Sequence, residues 1–181
     1  LDGLNVGAIV YYGQAGEEGG NALGEILSGK VTPSGKLTDT WAKSYSDYPT
    51  AKAQGRRTLD ENYSEGIYVG YRWFDANGIT SRYPFGYGLS YTQFEQKVRG
   101  VSVEGSTVRV SIAVQNTGKQ YAGKDVVQCY LAKPGVKYDV ERLSLEAFHK
   151  TKLLVPGETD EVTLVFDIRD SAVYDETRAA F

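Results

Sequence analysis

Val6-Gly7-Ala8-Ile9-Val10-Tyr11-Tyr12 carries no polar face. A strand of this kind must be covered on both sides, as in a parallel sheet flanked by strands and closed by helices. The following residues supply one cover. After the glycine-rich turn Gly13 to Gly20, Ala22, Leu23, Ile26 and Leu27 recur at helical spacing and make one apolar stripe. Gly29 is a stop signal, and Pro33-Ser34-Gly35 reads as a turn. From Asp39 to Asn62 the chain is polar, with few branched aliphatics. One strand and one helix are not a domain. Residues 1–29 therefore read as part of an α/β sandwich whose other strands are expected upstream or on another chain. The opening at Leu1 and the absence of methionine agree with a processed chain or a fragment.

Composition excludes several classes. With 41% hydrophobic and 24% charged residues the chain is neither collagen-like nor wholly disordered. No apolar run approaches the ~18 residues of a membrane span. A net charge of −3 with interleaved signs gives no basic face, so no nucleic-acid partner is expected. One cysteine allows no internal disulfide, and the compartment, cytoplasmic or secreted, stays open. One histidine, His149, excludes a site needing two imidazoles. No metal or cofactor is implied.

Residues 41–94 hold more than half of the aromatic side chains. Ile67 to Phe74 reads as a strand, Asn77-Gly78 as a tight turn, and Pro84 to Gly88 as a rigid loop. Aromatic rings pack domain seams and also stack on sugar rings, and both uses fit this segment. Glu65 and Arg72 lie an odd number of residues apart, on opposite faces of a regular strand. From Phe94 the period becomes two. Val98, Val101 and Val103 alternate, then Val108, Val110, Ile112 and Val114. Val126 to Leu131, Leu143 to Leu154 and Val162 to Ile168 give three more strands, with Pro156-Gly157 turning between the last two. A sixth is expected around Ala172–Tyr174 and Ala179–Phe181. Short strands between regular turn signals make an antiparallel sandwich of about seven strands, so the closing strand is expected to be cut off. Val110, Ile112, Val114, Val127, Cys129, Leu164 and Phe166 are its expected core. The fold class is α/β plus all-β, divided as residues 1–93 and 94–181.

The glycines of 13–20 do not match the dinucleotide spacing, and Glu17 and Glu18 stand where phosphates would bind. They read as charged capping of a helix N-terminus. Gly29 to Lys36 fails the P-loop spacing by one residue. Ser46-Asp47 and Asp60-Glu61 are loop carboxylates that nothing pairs across a pocket. His149 lies in a predicted strand and reads as structural. Asn62-Tyr63-Ser64 is a glycosylation sequon, a weak sign of secretion.

Three stretches together resemble family 3 of the glycoside hydrolases, the β-glucosidases and β-xylosidases. They are Glu18-Gly19-Gly20-Asn21-Ala22-Leu23, continuing through Pro33-Ser34-Gly35-Lys36-Leu37 and Thr40-Trp41; Tyr63-Ser64-Glu65-Gly66-Ile67-Tyr68-Val69-Gly70-Tyr71-Arg72-Trp73-Phe74-Asp75; and Tyr83-Pro84-Phe85-Gly86-Tyr87-Gly88-Leu89-Ser90-Tyr91. Asn116-Thr117-Gly118, Val126-Val127-Gln128, Leu154-Val155-Pro156-Gly157-Glu158 and Tyr174-Asp175-Glu176 resemble the family's fibronectin-III-like domain. Thr38 and the long turn Ala15-Gly16-Glu17 are small departures. The resemblance implies a retaining enzyme built from a (β/α)8 barrel, an α/β sandwich and this β-domain. A barrel Asp is its nucleophile and a Glu of the sandwich its acid–base. Both are expected upstream of Leu1, because Ser46-Asp47 follows no strand and falls in the wrong place. The chain is then inactive alone, with the barrel and the first part of the sandwich as its partner, in cis or as a separate chain, and a β-glycoside as substrate. Tyr63, Glu65, Tyr68, Arg72, Trp73, Phe85 and Tyr87 are the candidate substrate or domain-interface residues. The competing reading is a non-catalytic carbohydrate- or protein-binding β-sandwich module.

Overall fold

The computed structural model describes residues 5–51, 64–135 and 137–181. Helices α1 (Gly19–Leu27) and α2 (Tyr71–Ala76) precede strands β1 (Phe94–Glu104), β2 (Thr107–Asn116), β3 (Val126–Ala132), β4 (Leu143–Lys150) and β5 (Thr159–Asp167). The strands form two antiparallel sheets, β1-β2-β5 and β3-β4. All five fall where the period-two pattern puts them. The expected sixth reduces to a single bridge between Asp175 and Ala180.

Alternation decides which side chains meet between the sheets. Ile112, Val114, Val127, Leu154, Val162 and Leu164 form the core, none more than 4% exposed. Val110 and Cys129 pack half-buried against them, and Phe166 is likewise half-buried. Leu154 lies beyond β4, where it bridges Gly123. Tight turns fix the register. Gly105, at φ 60°, makes the two-residue link between β1 and β2, whose last pair is Glu104 with Thr107. Gly157, at φ 83°, closes the turn after Pro156, with the Glu158 amide donating to the Val155 carbonyl at 2.9 Å.

Two local expectations are corrected. Ile67 to Phe74 is not a strand. Gly70 turns the chain at φ 60°, and the next six residues coil into α2. Tyr71 and Phe74, three apart, then share a helical neighbourhood, and the odd-spacing argument for Glu65 and Arg72 falls with the strand. Asn77-Gly78 does turn the chain, but it ends this helix, with Gly78 at φ 63°. Pro33-Ser34-Gly35 forms no turn and leads into residues that pair with 83–87. His149 lies in β4, as expected, paired with Val127, and its side chain is exposed.

The Val6–Tyr12 run joins no sheet among the described residues. Val6, Ile9, Val10, Tyr11 and Tyr12 are 43–68% exposed. Helix α1 forms as its spacing predicts and ends at Gly29, φ 76°, but its stripe is covered only in part, with Leu23 and Ile26 half-buried and Leu27 64% exposed. The two elements meet at Gly19, where a Cβ would stand 2.2 Å from the Tyr12 hydroxyl.

Candidate functional site

Val127 and Cys129 point into the sandwich, so Gln128 and Tyr130 point out of it. Their outer face is the seam with residues 67–88. Tyr71 is its centre. Its ring centroid lies 5.5 Å from that of Phe85 and 5.7 Å from that of Tyr130, and its hydroxyl accepts the Leu145 amide of β4 at 3.0 Å. Aromatic pairs of this kind contribute ~0.5–1.5 kcal/mol each beyond the area they bury. Gly86, at φ 80°, lets the turn after Pro84 lie against Gln128, whose amide oxygen would be 2.7 Å from a Cβ there. Gly88 approaches the Gly35 carbonyl even more closely, at 2.3 Å from a would-be Cβ. The Lys36 ammonium donates to the Gly88 carbonyl at 2.9 Å and pairs with Asp125 at 3.3 Å, just before β3. The other Asp125 oxygen accepts from Gln96 of β1 at 2.7 Å. At the far end, the Tyr91 hydroxyl donates to the Ile26 carbonyl at 2.9 Å, and its ring meets that of Tyr121.

A cavity of about 370 Å³ opens beside this seam, lined in part by Ile67, Arg72, Lys133, Glu141, Ser144 and Glu146. Lys133 and Glu141 form an ion pair at 2.9 Å with each side chain only 11% exposed. Burial pushes the Glu141 carboxyl up. The Lys133 hydrogen bond, its own backbone amide and the charges of Lys133 and Arg72 outweigh that and hold it below its ordinary value. The Tyr68 phenol donates to the Asp139 carboxylate, and that bond, with burial, raises its pKa.

The candidate residues divide between two sides of α2. Tyr68, Arg72 and Phe85 face the β-domain. Arg72 lines the cavity and stands 5.9 Å from the Tyr71 ring centroid, which is also Phe85's partner. Trp73 and Glu65 face away from it. The Trp73 indole donates to the Asp47 carbonyl at 2.9 Å, and Glu65 accepts from the Thr50 hydroxyl at 3.1 Å. Phe74, buried, meets Tyr48 with ring centroids 5.9 Å apart. Tyr87 belongs to a third group, 5.0 Å from Tyr83, which in turn meets Trp41. Tyr63, Asp60, Glu61 and the Asn of the sequon lie outside the described residues. Ser46-Asp47 is a structural cap. The Asp47 carboxylate accepts the Ser44 amide at 2.9 Å, the Ser44 hydroxyl accepts the Ser46 amide, and the Ser46 hydroxyl meets that of Ser44 at 2.8 Å. Glu18 stands at the start of α1 and accepts from the Asn21 side chain at 2.6 Å. Sequence reasoning missed Tyr71, Tyr130, Gln128 and the Lys36–Asp125 pair. The signal for Tyr130 and Gln128 was present, since both fall on the alternate face of a strand whose other face is core.

Known proteins are similar to this chain in sequence and fold. The model of the glycosyl hydrolase family 3 C-terminal domain matches residues 2–91, and that of the fibronectin type III-like domain matches residues 125–181. A β-glucosidase of Ruminococcus albus is 42% identical over 178 residues, which is 98% of this chain and 18% of that protein. Thermostable β-glucosidase B of Acetivibrio thermocellus is 40% identical across 88% of this chain and 21% of its own length. The structure of β-glucosidase 3B from Thermotoga neapolitana in complex with glucose superposes with a TM-score of 0.82 at 44% identity, over 90% of this chain and 23% of that one. The chain thus spans about a fifth of the length of these relatives.

Proposed function

We propose that this chain, which belongs to glycosyl hydrolase family 3, is the C-terminal segment of a retaining β-glycosidase that removes terminal, non-reducing β-linked sugars. β-Glucosidase is the form its relatives take. The segment packs on the catalytic part and completes it without supplying a catalytic carboxylate. A retaining enzyme needs two carboxyl groups ~5–5.5 Å apart across the scissile bond. The Ser46-Asp47 pair, spent on a backbone cap, is a poor candidate for either. The nucleophile and the acid–base group are assigned to the barrel and to the earlier part of the α/β sandwich, in cis or as a separate chain.

The observation that carries this reading is the identity to β-glucosidases along almost the whole chain. The bare apolar run supports it. Val6, Ile9 and Val10 are 43–51% exposed, and burying such a side chain stabilises by ~1.5–3 kcal/mol. A free-standing binding module has no use for them, whereas a sheet contributed by the rest of an enzyme would cover them. The division of the chain is proposed at 93/94, supported by the start of β1 at Phe94. Of the candidate residues, Tyr68, Arg72 and Phe85 are assigned to the domain interface. Glu65, Trp73 and Tyr87 are assigned to the side that meets the catalytic part, Tyr63 stays a candidate on its sequence motif alone, and Tyr87, 38% exposed, is assigned to sugar contact. The test is to mix the purified chain with the barrel-containing remainder of the enzyme and measure hydrolysis of an aryl β-glucoside. Activity from the mixture and from neither part alone is expected. An active remainder that gains nothing from the chain would overturn the reading.

A further inference from the structure

Four separate stretches of the chain meet around the cavity beside the seam. They are α2 with Arg72, the β3–β4 connection with Lys133 and Glu141, β4 with Glu146, and the residues after β5 with Asp170 and Ser171. At about 370 Å³ the cavity falls at the small end of the ~300–1,000 Å³ of small-molecule sites. Its walls are tied to one another. The Ser171 hydroxyl donates to Glu146 at 2.5 Å and joins the residues after β5 to β4. The Tyr68 phenol holds Asp139, and the Tyr138 hydroxyl donates to Asp175 at 2.8 Å, which fixes the β3–β4 connection from both sides.

The polar groups of the lining divide into spent and unspent. Lys133 and Glu141 neutralise each other, and Asp139 takes the Tyr68 hydrogen. One oxygen of Glu146, Oε1, accepts the hydroxyls of both Ser144 and Ser171. Its Oε2 is left without a donor, and the two serine oxygens are left as acceptors. Arg72 is half-buried and lies 5.9 Å from the Tyr71 ring centroid, but its guanidinium makes no hydrogen bond or ion pair among the described residues. The Asp170 carboxylate makes none either. The unspent groups are therefore the N–H donors of Arg72 and the acceptor oxygens of Glu146, Asp170 and the two serines. An anion would satisfy Arg72 and meet two carboxylates. A small cation would satisfy the carboxylates and leave Arg72 beside it. A hydroxyl group accepts an N–H and gives its own hydrogen to a carboxylate at the same time, so it satisfies both sets and brings no charge. Ile67, Leu145 and Val173 add apolar surface for carbon-bound hydrogens.

We infer that this cavity binds a neutral, polyhydroxylated small molecule of the pyranose class, with Arg72 donating to its hydroxyl oxygens and Glu146 and Asp170 accepting its hydroxyl hydrogens. The choice of a pyranose among polyols rests on the reading of the chain as part of a glycosidase, whose product is such a sugar. An enzyme that releases free sugar raises its concentration nearby, so the cavity fills as product accumulates.

The test uses the full-length enzyme and D-glucose as the probe. Hydrogen exchange is followed by mass spectrometry in peptides covering residues 138–146 and 168–174, with glucose titrated. Exchange through opening of an occupied site slows by the factor 1 + [L]/Kd, so about tenfold slowing is expected at ten times the Kd. At the same concentration Arg72→Met and Asp170→Ala are each expected to show less than about twofold slowing. Asp170 is exposed, so its variant keeps the fold even where the change at Arg72 disturbs the seam. Exchange that does not slow saturably with glucose would overturn the inference, as would equal slowing in the parent and the Asp170 variant. Slowing by sodium sulfate or ethylammonium chloride in place of glucose would assign a charged ligand and overturn it too. Hydrolysis of an aryl β-glucoside by the parent is measured separately. Its absence would count against the glycosidase assignment, whereas the two peptides report on the cavity.

Discussion

Asn116 uses every hydrogen-bonding position its amide has. Its Nδ2 donates to the carbonyls of Tyr121 and Leu154, both at 2.9 Å, and its Oδ1 accepts the Thr92 hydroxyl at 2.6 Å and the Gly118 amide at 3.0 Å. The residue is fully buried and ties the end of β2 to the start of the domain. Asn116→Asp keeps the shape but faces a carboxylate with two carbonyls and no solvent. A loss of about 3 kcal/mol or more is expected, read as a lower denaturant midpoint at neutral pH. An unchanged midpoint would mean the network contributes nothing net. Trp73 is a milder case. Its indole is half-buried and holds the Asp47 carbonyl. Trp73→Ala is expected to cost about 2 kcal/mol, less than the ~3–5 typical of a fully enclosed aromatic. Thermal unfolding of the full-length enzyme checks it, and a wild-type Tm would show that the ring makes no net contribution there. The Asn116-Thr117-Gly118 motif is visible in the sequence. Its wiring is not, because three of the four partners come from other turns of the chain.

At the scale of elements, the Lys133–Glu141 pair clamps the two ends of the β3–β4 connection. The folded Glu141 pKa lies below its unfolded value, so the unfolded chain takes up a proton first as pH falls. Its stabilisation is complete above the ordinary carboxylate pKa and is lost as pH drops through the lower folded value. Lys133→Met leaves a largely buried carboxylate without its partner. A destabilisation of about 3 kcal/mol at neutral pH is expected, shrinking as the solution is acidified toward pH 4. Chemical denaturation at a series of pH values checks this, and a loss that does not change with pH would show that the pair's charge plays no part. The strands were legible because alternation of apolar residues is local and strong from Val108 to Val114. α2 was not. Its six residues are too few to display a helical period, and Tyr, Trp and Phe favour strands. Gly70 carried the only local sign, and a positive φ cannot be told from a flexible link in sequence alone. The seam was half legible. The aromatic density announced packing, but which ring meets which depends on where β3 and β4 lie.

For the molecule as a whole, large apolar side chains stand exposed on several elements. The Val6–Tyr12 run, Leu27 of α1 and Val98, Val101 and Val103 of β1 are among them. Patches of this kind mark surfaces for other protein or aggregation hazards. The isolated chain is therefore expected to aggregate or to protect only its strands β2–β5 from proteolysis, and to become monodisperse when mixed with the remainder of the enzyme. Size-exclusion chromatography with limited proteolysis checks this. A soluble chain protected throughout residues 5–51 without its partner would contradict it.

The small sheet is occupied on both faces: the sandwich core lies on one, and Tyr71, Phe85 and Gly86 on the other. For gene recombination this means that the β-domain is not a portable cassette. A chimera joined at Phe94 would sever Gln128 from Gly86, Tyr130 from Tyr71 and Asp125 from Lys36, and so must match a foreign outer face by chance. A crossover placed ahead of Lys36 carries both halves of every one of those contacts together, and family-3 hybrids built there are expected to keep their stability where those built at Phe94 lose it.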